Sequence, residues 1–506
     1  MFYTQQDLVN KNIEIGAITA NSQALLDLIE SDSNSDYKKA MIDGRKYFEV
    51  NNTCVNDTNF NVYNTYRFAG NDNNGNPTYT IQENTNPSSK NIKKPSAIYR
   101  NAVLQKIDYG LANGVLIDIE NETTKEDILE TLGKEKDVKV SSLATEGSNS
   151  ALSYFYIYID KDGQFKYMVM DSVELIIIYE DDTRERISEV IRYYKIEKII
   201  DGSSTFMWRV EIYRKDSKEV FDEQGSGAGS LLVSQGLNAY GVIKIKDDED
   251  SEGEAQVNWG RAPFVEYINN PERITDLQPA ISLIDDIDLQ DSRLSNDFMD
   301  KVEQILGVKG FDGDDPHALM EFLKVVGIAF TDGENGGVEG IENKIPYEGK
   351  QSVIENTTKD AYEALQAVRT SAETVSKASS GKALQIMYRP LDMKVQRMYQ
   401  GLEKTLYDLM YFVNEYFGMS NELDSEPKKQ FNPDEVKFVF TPNVVVDLVE
   451  LADIAVKFVS AGLPMSVILD LLPFINQNNK EDILKEIESQ QVDLFQEPMT
   501  VNDTQE

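Results

Sequence analysis

The chain has 506 residues, with 50 Lys and Arg against 87 Asp and Glu and a formal charge of −37; this excess of carboxylates opposes tight binding to a polyanion, because affinity for nucleic acid comes largely from cations neutralising phosphates. With 41% hydrophobic and 27% charged residues, a folded, soluble protein of several domains is expected, with no run of about 18 apolar residues to cross a membrane and no basic-then-apolar signal pattern in MFYTQQDLVN. The single cysteine, Cys54, excludes an internal disulfide framework and a multi-cysteine zinc site and fits a reducing compartment.

In chain order, residues 4 to 50 read as short helices carrying Leu8, Ile13 and Ile18, then Ala24, Leu25, Leu28 and Ile29, then Tyr37 to Phe48. Residues 51 to 90, rich in Asn, Thr and Gly and including NDNNGNP, read as a long mobile loop or hairpin tip. A helix follows from about Pro95 to Leu111, and Gly110 and Gly114 punctuate the turn into GVLIDI. Between Ser150 and Ile245 the hydrophobic period becomes two. YFYIYI and KYMVM flank Asp160-Lys161-Asp162-Gly163, a hairpin signal, and ELIIIYE, VIRYYKIEKI, FMWRVEIYR and YGVIKI extend the series into one antiparallel sheet of five or six strands.

After APFVEYINN the pattern turns helical. Ile274, Leu277, Ile281, Ile284, Ile287, Leu294, Phe298, Val302 and Ile305 recur mostly at steps of three or four, one face of a helix that at about 1.5 Å per residue would be roughly 48 Å long. The other face holds Asp276, Asp285, Asp286, Asp288, Asp291, Asp297, Asp300 and Glu303 against Arg293 and Lys301. A small β-α-β piece follows, with its helix from Pro316 to Val326. A helix from about Gly349 to Thr374 and a polar run, Ser376-Lys377-Ala378-Ser379-Ser380-Gly381, come next. Another helix runs from Lys382 to about Phe417, with Pro390 as a kink. A strand from Val436 to Phe440 precedes helices near 444–460, 464–472 and 480–490.

Catalytic chemistry finds little support. The one histidine, His317, sits at a helix start, where a solvent-facing polar residue is ordinary, and a nucleophile relay is hard to build from one histidine and one cysteine. The acidic clusters Asp247-Asp248-Glu249-Asp250, Asp312 to Asp315 and Asp285-Asp286-Asp288 lack EF-hand spacing and read as solvated charge, although a two-metal nuclease using the helix carboxylates stays open as an alternative. There is no GxxxxGK[ST] or GxGxxG motif, so no nucleotide cofactor is expected. A binding or structural protein remains.

Four stretches, in order, resemble the portal proteins of tailed double-stranded-DNA bacteriophages, in particular those of long-tailed phages of Gram-positive hosts. They are APFVEYINN with Thr275-Asp276-Leu277-Gln278 and SLIDDIDLQDSRLSNDF; ILGVKGF; SSGKALQIMYRPLDMKVQRMYQGLEKTL; and GLPMSVILDLLPFI with KEDILKEIES. The Asn-rich insert at 51–90 and the small-residue run before Gly381 match no motif of the family.

The resemblance implies an α+β portal-type fold: residues 1–271 as a wing with an antiparallel sheet, 272–305 as a stem helix, 306–345 as a β-α-β clip, and 346–375 as a second stem helix. It further implies a tunnel loop at 376–382, a tunnel helix at 383–418, a wing return strand within 419–443, a crown at 444–490 and a flexible tail at 491–506. It also implies a homo-oligomeric ring, usually of twelve copies, at a capsid vertex of the virion. The ring would be assembled in the host cytoplasm, conduct double-stranded DNA and have no enzymatic activity of its own. Its implied partners are the terminase large subunit, a head-completion adaptor, and the major capsid and scaffolding proteins.

On this reading Ser376, Lys377, Ala378, Ser379, Ser380, Gly381 and Lys382 face DNA. Asp285, Asp288, Asp291, Asp297 and Asp300 form an acidic stem face that repels phosphates. Ile281, Ile284, Leu294, Phe298 and Val302 pack between subunits, as do Leu319, Phe322, Leu323 and Val326 of the clip. Another ring component of a virion, such as an adaptor, is the remaining alternative, but adaptors are usually much shorter.

Overall fold

The structure, a computed structural model, describes residues 2–11, 22–56, 65–71, 77–82, 91–200, 203–225, 231–248, 251–300, 305–309, 337–341, 347–369, 381–420, 428–443, 448–470, 483–485 and 487. Helix and sheet are mixed, giving an α+β fold. The chain divides into two compact units that are discontinuous in sequence. One gathers Met1–Arg45, Asn101–Gln278 and Leu365–Glu506, and the other Lys46–Arg100 and Pro279–Ala364.

The first unit is built around a strand, Leu175–Tyr179, whose five residues are all buried. An unbroken apolar run in a strand means that both of its faces are covered. Here Ile176 and Ile178 enter one core, with Leu25, Leu28 and Ile29 of the Ser22–Ser33 helix and Ile191, Val210 and Ile212. Leu175, Ile177 and Tyr179 enter a second core, with Leu152, Tyr154, Met170, Tyr213 and Phe264. The alternation of side chains along a strand therefore partitions the unit into two hydrophobic layers.

The single antiparallel sheet expected from the sequence is, in the structure, three sheets, since its last expected strand, YGVIKI, lies in a separate antiparallel pair, Val242–Asp248 with Ser251–Gln256. Six strands run in the order Phe2–Thr4, Leu175–Tyr179, Ile187–Ile200, Ser203–Tyr213, Ser217–Gln224, Leu231–Ala239. The first of these pairs in parallel with Leu175–Tyr179. A separate three-stranded sheet places Leu152–Ile159 between Phe264–Ile268 and Phe165–Met170. The break falls at Asp171, whose carboxylate accepts the Val173 N–H at 3.0 Å and caps the 3-10 turn Ser172–Glu174. That turn interrupts the period of two without altering composition, which is why pattern alone merged the two larger sheets. The Asp160–Gly163 hairpin stands as expected, with Gly163 at φ 78.

The expected strand near 436–440 is Lys437–Phe440, paired antiparallel with Val115–Asp118. Between Val115–Asp118 and Leu152–Ile159 lie two helices that the sequence reading passed over, Glu122–Leu132 and Lys136–Ser150. The helix at Gly381–Ser420 has 40 residues and includes Pro390, a length of about 60 Å. Pro390 is exposed and Ile386, whose carbonyl loses its helical partner to the proline, is 73% exposed, so water can satisfy the freed group and the helix continues.

The second unit contains the helices Ile281–Asp300 and Tyr347–Ala364, the hairpin Thr65–Asn71 with Pro77–Gln82, and the antiparallel pair Ile305–Lys309 with Gly337–Ile341. The expected helix from Ile274 to Ile305 is thus corrected at both ends. Pro279 disfavours helical geometry at Gln278, and Ile281 is the first helical residue; Ile305 belongs to a strand. The second expected helix, to Thr374, ends at Ala364, and Gln366 takes φ 54, outside the helical region. The helix expected over Pro316 to Val326 lies outside the described residues. Of the C-terminal helices, Leu448–Ser460 and Met465–Asp470 are present, and most of 480–490 lies outside the described residues.

Two helices of the first unit touch through a glycine. A Cβ on Gly44, in the helix Asp36–Phe48, would collide with the backbone carbonyl of Asn149. Backbone cannot retreat as a side-chain tip can, so Gly44→Ala is expected to lower unfolding free energy by about 1–3 kcal/mol, measured by urea denaturation.

Candidate functional site

The Ile281–Asp300 helix buries Ile284, Ile287 and Leu294, and beside that stripe runs a second, polar one. Asp288, Ser292 and Asn296 are each 0% exposed and sit at i, i+4 and i+8, stacked one per turn. Each takes a backbone group from the segment 91–97. Asp288 Oδ1 accepts the Ser96 N–H at 2.8 Å, Ser292 Oγ the Lys94 N–H at 3.0 Å, and Asn296 Oδ1 the Ile92 N–H at 2.8 Å, while Asn296 Nδ2 donates to the Ile92 carbonyl at 2.9 Å. The match is geometric. Four helical residues rise about 6 Å and two extended residues about 6.6 Å, so alternate residues of an antiparallel extended segment meet successive turns.

This arrangement overturns one expectation. Asp288, placed by the sequence reading on a solvent-facing acidic face, is buried, because its oxygens are consumed by Ser96 and by the Asn52 amide. Burial pushes its carboxyl above the usual carboxylate range, against those hydrogen bonds. Asp285, half-buried, accepts the Tyr47 hydroxyl. Asp291 pairs with Lys94 at 2.6 Å and Asp297 with Lys350. The described acids of this face are therefore largely engaged within the chain. Among the described residues no group of three or more His, Cys, Asp or Glu is placed to hold a metal ion, and none is built here from Asp285 and Asp288, whose lone pairs already accept protein donors.

Of the residues expected to pack between subunits, Ile284 and Leu294 are buried within the chain itself, Ile281 is half-buried and Phe298 is 51% exposed. Phe298 stands edge-on to Tyr347, with ring centroids 5.7 Å apart, and Tyr347 opens a helix of 18 residues of which only Ala361 is buried. Asp300 is the last residue of its helix. Val302, the clip residues Leu319, Phe322, Leu323 and Val326, His317, and the loop residues Ser376, Lys377, Ala378, Ser379 and Ser380 lie outside the described residues. Gly381 and Lys382 open the long helix.

In the first unit the sequence reading missed a buried ionic node. Asp276 lies 3.0 Å from Lys106 and 3.3 Å from Lys394, and accepts the Asn269 amide at 2.9 Å. Lys106 also donates to Asn269 Oδ1 at 2.6 Å and Ser148 Oγ at 3.0 Å. Burial, opposed by Asp276 and reinforced by the Lys394 charge, brings the Lys106 ammonium down to about 8. For Asp276 burial acts to raise the pKa, but the two lysines and the hydrogen bonds outweigh it and hold the carboxyl well below its usual range. Nearby, Gln105 clasps both backbone groups of Val368, accepting its N–H at 2.7 Å and donating to its carbonyl at 3.1 Å, and Lys394 donates to the Leu365 carbonyl at 2.8 Å. The chain beyond Ala364 is thereby fastened in a non-helical course.

A profile described as "Phage portal protein, SPP1 Gp6-like" matches residues 28–493. Two similar proteins are each named "Portal protein". The one from Bacillus phage SPP1 is 27% identical over 383 residues, 76% of this chain and 73% of the relative. The one from Clostridium phage phiCD119 is 26% identical over 387 residues, 74% of this chain and 79% of the relative.

Two outcomes follow from these contacts. Asp288→Ala strands the Ser96 N–H and the Asn52 amide and is expected to cost about 1–3 kcal/mol in chemical denaturation, whereas the exposed Arg293→Ala should stay within about 0.5 kcal/mol of the parent. Asp276→Asn leaves the buried Lys106 and the part-buried Lys394 without their carboxylate and is expected to cost about 3–5 kcal/mol at neutral pH. Because the Asp276 carboxyl is depressed in the folded state, its contribution is present above its ordinary unfolded value and is lost as pH falls below it. The gap between parent and Asp276→Asn should therefore narrow in denaturation series run towards acid pH, and a gap independent of pH would rule out this role.

Proposed function

Since the chain belongs to the SPP1 Gp6-like family of phage portal proteins, we propose that it forms the ring-shaped channel at a capsid vertex through which viral double-stranded DNA is packaged and ejected. The family is a structural one, and its DNA-packaging role extends to this chain across most of its length. No helix among the described residues is long and apolar enough to cross a membrane.

The observation that carries the ring is the Tyr347–Ala364 helix. This 18-residue helix, with one buried residue, packs on one side against the Ile281–Asp300 helix through Phe298–Tyr347 and Asp297–Lys350 and leaves its other sides uncovered, and a helix of this length gains most of its stability from the faces it buries. Tyr347, Val353 and Phe298, 46%, 49% and 51% exposed, are the side chains that neighbouring copies would cover. In this reading the helices Ile281–Asp300 and Tyr347–Ala364 are the stem, the Ile305–Lys309 and Gly337–Ile341 pair belongs to the clip, and Gly381–Ser420 is the tunnel helix. The sheets of the first unit form the wing, and the Leu448–Ser460 and Met465–Asp470 helices the crown.

Twelve copies, each of formal charge −37, would surround DNA with a field that discourages adhesion. Lys377 and Lys382, flanking the small residues Ala378 to Gly381, are the proposed transient contacts with its backbone. Terminase during filling and an adaptor afterwards would dock on the clip side, with capsid and scaffolding proteins around the wing and assembly taking place in the host cytoplasm.

Light scattering of the purified protein is expected to report about 700 kDa, twelve times 57.2 kDa, or a closely related ring number; a monomer at every salt concentration would sink the reading. Phe298→Asp with Val353→Asp should shift that mass towards single chains while leaving the thermal melt of the subunit within a few degrees. Lys377→Ala with Lys382→Ala should leave the ring intact and change the length of DNA packaged in an in vitro packaging reaction.

A further inference from the structure

The first unit holds a cavity of about 270 Å³ where the helices Glu122–Leu132 and Lys136–Ser150, the Asp160–Gln164 turn and Lys428 come together. Its floor is apolar. Leu132, Phe165 and Tyr167 are buried there, and the Tyr167 hydroxyl donates to the Leu132 carbonyl at 3.1 Å. Its walls are basic, with Lys134, Lys139, Lys166 and Lys428 against Glu130 and Glu135. In a chain with 50 basic and 87 acidic residues, this inverts the ratio.

Three of the four lysines have a carboxylate partner within 4.0 Å, which offsets the basic surplus without cancelling it. Lys428 reaches Glu130 at 2.9 Å and Thr131 Oγ at 3.2 Å. Lys139 lies 3.7 Å from Glu135 and 4.3 Å from the centroid of the Tyr167 ring. Lys166 approaches Asp160 only at 4.0 Å, and Lys134 makes no ion pair among the described residues. Glu130 and Glu135 are 76% and 78% exposed, so water screens their charge more than that of the half-buried Lys139 and Lys428.

The volume decides the class of ligand. Small-molecule sites usually span about 300–1,000 Å³, so a nucleotide or similar cofactor is too large, while one or two acidic side chains fit. Duplex DNA presents a convex backbone that cannot enter so small a concavity, and the net charge of the chain repels it. We propose that this cavity docks a carboxylate-rich peptide segment of another protein chain, its acidic side chains seated between Lys134, Lys139, Lys166 and Lys428. The site does not depend on how the copies of this chain assemble.

A test uses fluorescence anisotropy with the full chain and a labelled peptide DDEDSE, which reproduces residues 247–252. Saturable binding that weakens with added salt is expected. Lys134→Glu with Lys166→Glu should weaken it about tenfold or more, and Lys134→Gln with Lys166→Gln about threefold. Both lysines are exposed, so circular dichroism should show either variant folded, and if the charge reversal fails to fold the neutral pair still gives the answer. The proposal is overturned if the parent does not bind, if the neutral or reversed variant binds as the parent does, or if the amide peptide NNQNSQ binds equally well. It is also overturned if a short DNA duplex displaces the peptide at lower concentration than unlabelled DDEDSE, which would make the cavity a nucleic-acid site.

Discussion

The buried contact among Asp276, Lys106 and Lys394 is the constraint on which the first unit most depends. Three charges removed from water are tolerable only when each finds opposite charge and hydrogen bonds, since the desolvation cost otherwise exceeds the Coulombic gain. Asn269 and Ser148 complete the set. The groups involved come from the helices Ile98–Leu111, Lys136–Ser150 and Gly381–Ser420 and from the turn after Phe264–Ile268. One carboxylate thus holds in register segments that lie far apart in the sequence. Such a node adds little net stability over a well-packed apolar one, but it rejects arrangements in which any of its members is missing.

The second unit uses polar groups in another way. The Asp288, Ser292 and Asn296 row offers an extended segment what the edge of a sheet would offer, acceptors at the spacing of alternate residues. Buried backbone N–H groups must be paired, and here helix side chains do the pairing. The carboxylate in this row is part of the fold and is not available for ions or for repelling phosphate. Phe298, Tyr347 and Val353 are the large apolar side chains that the chain leaves exposed among the described residues of this unit.

Charge is also unevenly shared. A chain with a large acidic surplus still concentrates four lysines around one concavity, and low-dielectric walls strengthen the field inside such a recess. A portal is both a conduit, which must not hold its cargo, and a platform, which must hold its partners. Under the proposed docking role, an acidic average with a local basic recess meets both demands in one polypeptide.

Sequence alone determined the element types and the family. The period of two from Leu152 to Tyr213, the Asp160–Gly163 turn, the long helix beginning at Gly381 and the ordered set of motifs are local properties, readable because backbone geometry imposes them residue by residue. What only tertiary structure decided is which neighbours those faces meet. Periodicity reported that Asp288 and Ile284 lie on different sides of a helix, but not that the polar side would be buried against the segment 91–97, although Ser292 and Asn296 at the same helical spacing were a visible hint. It merged the two larger sheets because a three-residue turn at Ser172–Glu174 leaves no mark on composition, and it overlooked Pro279, which delays the helix to Ile281. The lysines of the cavity lie at positions 134, 139, 166 and 428, and only folding brings residues so far apart to one place.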